Sequence, residues 1–104
     1  MINTKPYYAV IFTSLLHKND PDYNVMAQKM MALAGEQPGF LGVESARNDI
    51  GITVSYWKDL ASIVNWKRHT EHIAAQQKGI KDWYKWYKVR ICKVEREYEF
   101  SKKE

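Results

Sequence analysis

The feature that most constrains the fold is a ten-residue run near the start of the chain that is apolar on both sides. Residues 7–16 are rich in β-branched and aromatic types and are too short for a capped helix, so they predict a buried strand. Alternation places the side chains on two faces, with Tyr8, Val10 and Phe12 on one and Tyr7, Ala9 and Ile11 on the other. Both faces of this strand need a cover.

A helix start follows the first strand. In the segment 19–22, Asp20 can cap the free N–H groups, Pro21 suits the first turn and Asp22 suits the positive end of the dipole. Apolar residues then recur at helical spacing, and the pattern stops at Gln37-Pro38-Gly39. The pattern predicts an amphipathic helix that packs on another element; its apolar stripe consists of Tyr23, Met26, Ala27, Met30, Leu33 and Ala34.

Two further β-like runs, 40–46 and 50–57, are separated by the short polar break Arg47-Asn48-Asp49, which is typical of a hairpin. Tyr56 and Trp57 end the second run and point to opposite faces. Tyr56 shares its face with Ile52 and Val54, which favours Tyr56 as the residue that faces the helices.

Asp59 is placed to cap a second helix that extends to about His69. Its expected apolar side consists of Leu60, Ile63, Val64 and Trp66. Thr70 can start a separate helical piece that reaches Gln77, before Gly79 breaks the pattern. The alternating run from Tyr84 to Val94 predicts a last strand.

The order strand, helix, strand, strand, helix, strand predicts an α+β fold of the ferredoxin-like, split βαβ type, an antiparallel sheet with helices on one face. We expect one domain over residues 1–104, with a core at about 7–100. Helices cover one sheet face only, so the second apolar face predicts a homodimer that packs sheet to sheet.

The composition supports that expectation and excludes other classes. Four Trp, seven Tyr and three Phe make 13% of the chain, more large rings than a domain of this size can hide completely. One cysteine, Cys92, excludes an intramolecular disulfide framework and predicts an inert buried thiol. The start of the chain lacks a signal sequence, which favours a cytoplasmic protein. Interspersed charges argue against nucleic acid, and no apolar run is long enough for a membrane span.

Several strings together resemble the antibiotic biosynthesis monooxygenase domain family, whose members are dimeric α/β-barrel proteins. The similarity covers roughly residues 7–100. The matching residues are the Gln37–Gly42 turn and strand, the Gly51–Trp57 strand, Trp66-Lys67-Arg68-His69 with His72, Ala75, Gln76 and Gly79, and Trp83-Tyr84 with Tyr87, Val94, Glu95 and Arg96.

The resemblance implies a pocket between sheet and helices and two reaction types. One is the cofactor-free oxygenation of phenolic or polycyclic aromatics to quinones, which needs a base, hydrogen bonds to an oxyanion and a dry cavity. The other is oxidative haem breakdown, which uses an Asn on the first strand, the helix Trp and a His three turns later. Trp66 is present, but the first strand has no Asn and Gln76 or Gln77 stands where the His is expected. We therefore expect no cofactor.

Three residues are candidates for catalysis. Trp66 can stack on a flat ligand and offer its indole N–H, or can simply pack in the core. His72 is a candidate base or donor, or a solvent-exposed helix residue. Tyr56 can orient a substrate hydroxyl, or can satisfy itself on backbone.

Four residues are candidates for substrate binding: Phe40, His69, Arg90 and Tyr8. Arg90 can hold an anionic intermediate or form an intersubunit salt bridge. His69 and His72 match no strong ligand spacing, so no metal site is predicted. The four rings Trp83, Tyr84, Trp86 and Tyr87 predict interface packing.

Together these features predict a monooxygenase-like protein that takes a small aromatic or quinol ligand. A non-catalytic ligand-binding or structural dimer is the alternative from another class.

Overall fold

A computed structural model describes residues 5–17, 21–76 and 83–102. Six elements follow in the predicted order: β1 (Tyr7–Leu16), α1 (Pro21–Gly35), β2 (Phe40–Arg47), β3 (Ile50–Trp57), α2 (Leu60–Gln76) and β4 (Tyr84–Val94). The α+β class and the β-α-β-β-α-β layout are confirmed.

The four strands form one antiparallel sheet in the order β2-β3-β1-β4. Directly paired residues share a face, and Tyr8 of β1 pairs with Trp57 of β3. Both side chains pack against the helices, so we call this side the helix face. The opposite side, which includes Ala9 and its partners Tyr56 and Cys92, is called the open face.

The end of α1 is fixed by the predicted Gln37-Pro38-Gly39 turn. The Gln37 side-chain amide donates to the Leu33 carbonyl at 3.1 Å, which satisfies one of the last helical carbonyls. Gly39 has a φ of 84°, which favours glycine, and a Cβ there would lie 2.7 Å from the Ser62 Cβ. The predicted cap Asp20 lies outside the described residues.

The start of α2 is confirmed, but its predicted interruption is wrong. Asp59 accepts hydrogen bonds from the Ser62 backbone N–H at 2.8 Å and the Ser62 hydroxyl at 2.7 Å, as expected of an N-cap. The helix then continues through Thr70 to Gln76. The Thr70 hydroxyl donates back to the Lys67 carbonyl at 2.8 Å and so does not cap a new helix. Gly79, the predicted break, lies outside the described residues.

The core lies between the helix face and both helices. Ala34 of α1, Trp57 of β3 and Ile63 of α2 are buried there, with partly buried Tyr8, Val10, Phe40 and Trp66 packed around them. Leu60 and Val64, predicted on the apolar side of α2, are half-exposed instead. The described core of the single chain is therefore small, and its largest member is an indole.

Candidate functional site

Three aromatic rings stack on the helix face at one end of the sheet. The ring centroids of Trp57 and Trp66 are 6.0 Å apart with planes at 26°, and those of Trp66 and His69 are 5.7 Å apart at 21°. We call these three residues the Trp66 stack. The stack passes from a fully buried indole to a partly buried imidazole, so it joins the core to the surface.

Two strand ends and one helix position the Trp66 stack. Trp57 is the last residue of β3, and Phe40, the first of β2, meets it edge to face with centroids 5.4 Å apart. The Lys58 backbone N–H donates to the Gly39 carbonyl at 2.7 Å, which ties the start of β2 to the start of α2. Trp66 and His69 are three residues apart on α2 and therefore lie on one side of the helix.

The two indole N–H groups of the stack differ in their surroundings. Trp57 Nε1 donates to the Ser55 hydroxyl at 2.9 Å, so its polar atom is satisfied in the core. No described residue accepts a hydrogen bond from the Trp66 indole. Trp66 therefore offers an N–H group that could donate to a ligand oxygen, next to the His69 imidazole that stacks on its ring. The predicted residues Phe40 and Tyr8 border the same cluster.

The prediction that Tyr56 faces the helices is wrong. The alternation of Tyr56 and Trp57 was predicted correctly, but Trp57 is the residue that faces the helices and Tyr56 lies on the open face. The register decides this, because Trp57 pairs with Tyr8 and Tyr56 with Ala9. The Tyr56 hydroxyl donates to Glu44 Oε1 at 2.6 Å, and this hydrogen bond raises the pKa of Tyr56.

Of the other predicted site residues, Arg90 also lies away from the stack, and His72 follows the stack residue His69 on α2. Arg90 of β4 pairs with Ile11 and so projects from the open face, where it is exposed. His72 is exposed on α2, one turn beyond His69. The structure thus gathers Trp66, His69, Phe40 and Tyr8 on one side of the sheet and separates Tyr56 and Arg90 from them.

The open face carries a shallow concavity of about 410 Å³. It is lined by Tyr7, Leu41, Glu44, Tyr56 and Glu97. The Tyr7 and Tyr56 rings meet edge to face at 5.9 Å, and the Tyr7 hydroxyl donates to Glu97 Oε2 at 2.5 Å. That hydrogen bond is the main reason why the pKa of Tyr7 is raised to about 12. This corner of the open face therefore presents two carboxylates, each held by a phenol.

A second cluster on the helix face, at the other end of the sheet, was missed by the sequence analysis. Arg47 Nη2 donates to the buried Ser14 hydroxyl and to the Tyr23 hydroxyl, the latter at 3.3 Å. The Arg47 Cζ also lies 5.4 Å from the centre of the Tyr23 ring. A Cβ on Gly51 would lie 2.6 Å from Arg47 Nε, so the glycine makes room for the guanidinium. The glycine within a strand was the signal that could have indicated this close approach.

Three of the four rings predicted at a subunit interface make ring contacts within the chain. Trp83 and Tyr84 meet the Tyr23 ring edge to face at 5.6 and 5.9 Å, and Tyr84 and Tyr87 both contact Phe12. Burial, with the neighbouring Tyr23 hydroxyl, raises the pKa of Tyr84. Trp86 projects from the open face and is 46% exposed, and Tyr87 is also largely exposed.

Across residues 5–17, 21–76 and 83–102, no three His, Cys, Asp or Glu side chains group in a way that could hold a metal ion. Within the same part of the chain, no helix has both the length and the apolar character needed to cross a bilayer.

Solved structures of other proteins share this fold. A variant of SnoaB, a cofactor-independent oxygenase from Streptomyces nogalater, superposes with a TM-score of 0.70 at 10% identity, over 89% of this chain and 96% of that chain. A candidate antibiotic biosynthesis monooxygenase from Nitrosomonas europaea gives a TM-score of 0.66 at 13% identity, over 86% and 89% of the two chains. The chain thus has the ferredoxin-like fold of antibiotic biosynthesis monooxygenases.

The sequence comparison then gives the family. The chain is 52% identical over 98 residues to the uncharacterized protein YqjZ of Bacillus subtilis (strain 168), a match that covers 92% of this chain and 86% of that protein. The chain belongs to the family of YqjZ. No protein-family model matches the sequence.

Proposed function

We propose that this protein is a homodimeric, cofactor-independent monooxygenase that oxidises a small phenolic or quinol substrate beside the Trp66 stack. The observation that carries this proposal is the arrangement of Trp66 and His69, an indole N–H with no described acceptor next to a stacked imidazole. The likeness to the fold of a cofactor-independent oxygenase supports it.

In the proposed reaction the substrate ring lies against the Trp66 stack. The neutral His69 imidazole accepts the proton of a substrate hydroxyl, and the Trp66 N–H donates to the resulting phenolate. The electron-rich phenolate then reduces O₂ itself. O₂ forms a bond to the ring carbon para to the phenolate oxygen, the O–O bond breaks, and that carbon loses its hydrogen as a proton, so one oxygen atom becomes the new quinone carbonyl and the other leaves as water. A quinol, whose para carbon is already oxygenated, reacts in the same way at a ring carbon that carries hydrogen and gives a hydroxyquinone. In both cases one O₂ is consumed for each quinone formed, and the substrate supplies all four electrons.

The remaining candidates take different places in this proposal. Phe40 and Tyr8 provide apolar and phenolic walls at the inner end of the stack, where they pack against the core. His72, one turn further along α2, is proposed to accept the proton from His69 at the surface. Tyr56 and Arg90 have no role in this reaction because they lie on the open face.

The surface area of the single chain supports the homodimer. The chain exposes 8522 Å², whereas a compact monomer of 12.3 kDa exposes about 6,100 Å². Part of the excess belongs to residues 95–102, where Tyr98 and Phe100 are almost fully exposed. The rest includes apolar side chains of the open face, among them Ile50, Ile52 and Trp86. A subunit in a standard interface buries about 800 Å², well within this excess.

The proposed monooxygenase activity is tested by measuring O₂ consumption under air with a panel of 1,4-dihydroxyaromatics and naphthols. We expect wild-type protein to consume one O₂ per quinone formed, and His69→Gln and Trp66→Phe to lower kcat by at least tenfold. His17→Gln is the matched control, because His17 is an exposed histidine at the end of β1, and it should retain the wild-type rate. If wild-type protein consumes O₂ no faster than buffer alone with every compound of the panel, the proposed monooxygenase activity is refuted.

Binding without turnover defines the alternative function. Trp57 and Trp66 lie within the proposed site, so a bound aromatic ring should quench their fluorescence. Saturable quenching by a quinol, abolished in Trp66→Phe and accompanied by no O₂ uptake, would identify a small-ligand-binding dimer. A saturating shift of the haem Soret band would instead support a haem protein.

A further inference from the structure

The open face carries opposite charges at the two ends of one transverse row of side chains. Glu44 of β2 pairs with Val54 of β3, Val54 with Ile11 of β1, and Ile11 with Arg90 of β4. Paired residues share a face, so all four side chains project from the open face. The row therefore has a carboxylate at one edge, a guanidinium at the other and two aliphatic side chains between them.

Each charged end of the row is available to a partner. The Tyr56 hydroxyl donates to Glu44 Oε1, which holds this carboxylate in place on the face. No described residue forms an ion pair with Arg90, which is exposed. The two edges are three strand spacings apart, about 14 Å, so the two charges do not meet within one sheet.

We infer that Arg90 binds Glu44 of the partner subunit, and that this pair, formed twice, sets the orientation of the homodimer. The inference rests on the sheet-to-sheet homodimer proposed above. Consider a two-fold axis that lies between the two packed sheets, parallel to the strands, and passes between Val54 and Ile11. Rotation about this axis exchanges the β2 and β4 edges and leaves positions along the strands unchanged. It therefore brings Glu44 of the partner subunit opposite Arg90, and the reverse pair forms by symmetry.

The charges discriminate between the possible axes. A two-fold axis along the row itself would place the β2 edge of one sheet opposite the β2 edge of the other, and β4 opposite β4. Glu44 would then face Glu44 of the partner subunit, and Arg90 would face Arg90 of the partner subunit. Like charges at such an interface oppose association. The axis parallel to the strands is thus the arrangement in which all four charges are paired and the aliphatic centre of both rows is covered.

The dimensions of packed sheets accommodate this pairing. Sheets pack about 10 Å apart, a gap that an Arg and a Glu side chain bridge together. Aligned sheets cross at about 30°, which displaces the edge strands by only a few ångströms along their length. The result is an apolar interface centre with paired charges at the rim, as in stable interfaces.

The experiment is a charge exchange between two variants, Arg90→Glu and Glu44→Arg, measured by analytical ultracentrifugation and native mass spectrometry. Each variant alone would place two like-charged pairs in its own dimer, so we expect its dimer dissociation constant to rise at least tenfold. In an equimolar mixture, a heterodimer would contain two opposite-charge pairs. We therefore expect the mixture to form one-to-one heterodimers with close to wild-type affinity.

Lys93→Glu is the matched control, because Lys93 is an exposed cation of β4 that pairs with Tyr8 and so lies on the helix face. This variant should dimerise like wild type, and circular dichroism should confirm that all variants are folded. Unchanged dimerisation of both single variants, or their failure to form a heterodimer, would overturn the pairing while the homodimer stands. A wild-type mass of 12.3 kDa at micromolar concentration would overturn both.

Discussion

Substitution of Gly51 by alanine tests whether the Arg47 cluster stabilises the far end of the sheet. Gly51 is buried on β3, between Ser14 of β1 and Arg47 of β2 in the strand ladders. The new Cβ would occupy the space of the guanidinium, 2.6 Å from Arg47 Nε. The side chain of Arg47 must therefore move, because a flexible side chain yields more easily than the sheet backbone.

The expected loss in the free energy of unfolding follows from the contacts that Arg47 loses. A hydrogen bond from a charged donor to the Ser14 hydroxyl is worth about 1.5–3 kcal/mol, and Ser14 is fully buried, so no water replaces the donor. The cation–π contact with Tyr23 adds about 0.5–1 kcal/mol. Alanine is favoured over glycine within a strand by about 0.5–1 kcal/mol, which offsets part of the loss. We expect Gly51→Ala to lower the free energy of unfolding by about 1–3 kcal/mol.

Urea unfolding of a double-mutant cycle isolates this effect. Gly51→Ala should destabilise the wild-type chain but should have no cost, or a slight benefit, in the Arg47→Ala background, where no guanidinium is displaced. All four proteins are compared at one concentration, because dimerisation would make the midpoint concentration-dependent. If Gly51→Ala lowers the free energy of unfolding equally in both backgrounds, it does not act by displacing the Arg47 guanidinium.

Three further predictions concern the turns and the ionisable groups. Gly39→Ala should destabilise the protein by about 1–3 kcal/mol in urea unfolding, because Gly39 has positive φ and its Cβ would overlap Ser62, whereas Gly35→Ala, with open space at its Cβ, should cost nothing. The hydrogen bond from the Ser62 hydroxyl to Asp59 lowers the pKa of Asp59, so its cap stabilises the fold above the unfolded pKa of about 4 and is lost as pH falls through the folded pKa. Asp59→Ala should therefore be less stable than wild type at pH 7, and the difference should shrink as the pH is lowered towards 2; a constant difference across that range would contradict this. In a spectrophotometric titration one phenol should ionise near pH 12, and this step should disappear in Tyr7→Phe but persist in Tyr98→Phe.

Local sequence patterns predicted the elements because each is fixed by neighbours in the chain. The β1 strand at 7–16, the hairpin and the β4 strand at 84–94 follow from β-branched alternation and turn residues. Asp59 and the Pro38-Gly39 turn mark helix ends through hydrogen bonds and φ values that involve only nearby residues. The predicted helix start at Thr70 is wrong because the local sequence allows two hydrogen bonds of its hydroxyl. The hydroxyl can cap a new helix or bond back to the preceding turn, and the structure shows the second.

The site could be predicted only in part. Trp66 and His69 share one side of α2 by helical spacing, so their stacking was accessible to sequence reasoning. The position of the third ring, Trp57, could not be predicted from the sequence. Alternation shows that Trp57 and Tyr56 point to opposite faces, but it does not show which of the two faces the helices. The local sequence places Arg47 in a polar turn and gives no sign of its contacts, because its partners Ser14 and Tyr23 are 33 and 24 residues away in the chain.

The order of the elements, the α+β class and the presence of an apolar sheet face that the helices leave open follow from local patterns in the chain. The tertiary structure decided which side chains occupy each face. Strand pairing assigns the faces: the partnership of Tyr8 with Trp57 sends the indole into the core and Tyr56 outward to Glu44. Alternation has a period of two and is equally consistent with either assignment, so only the register between distant strands could distinguish them.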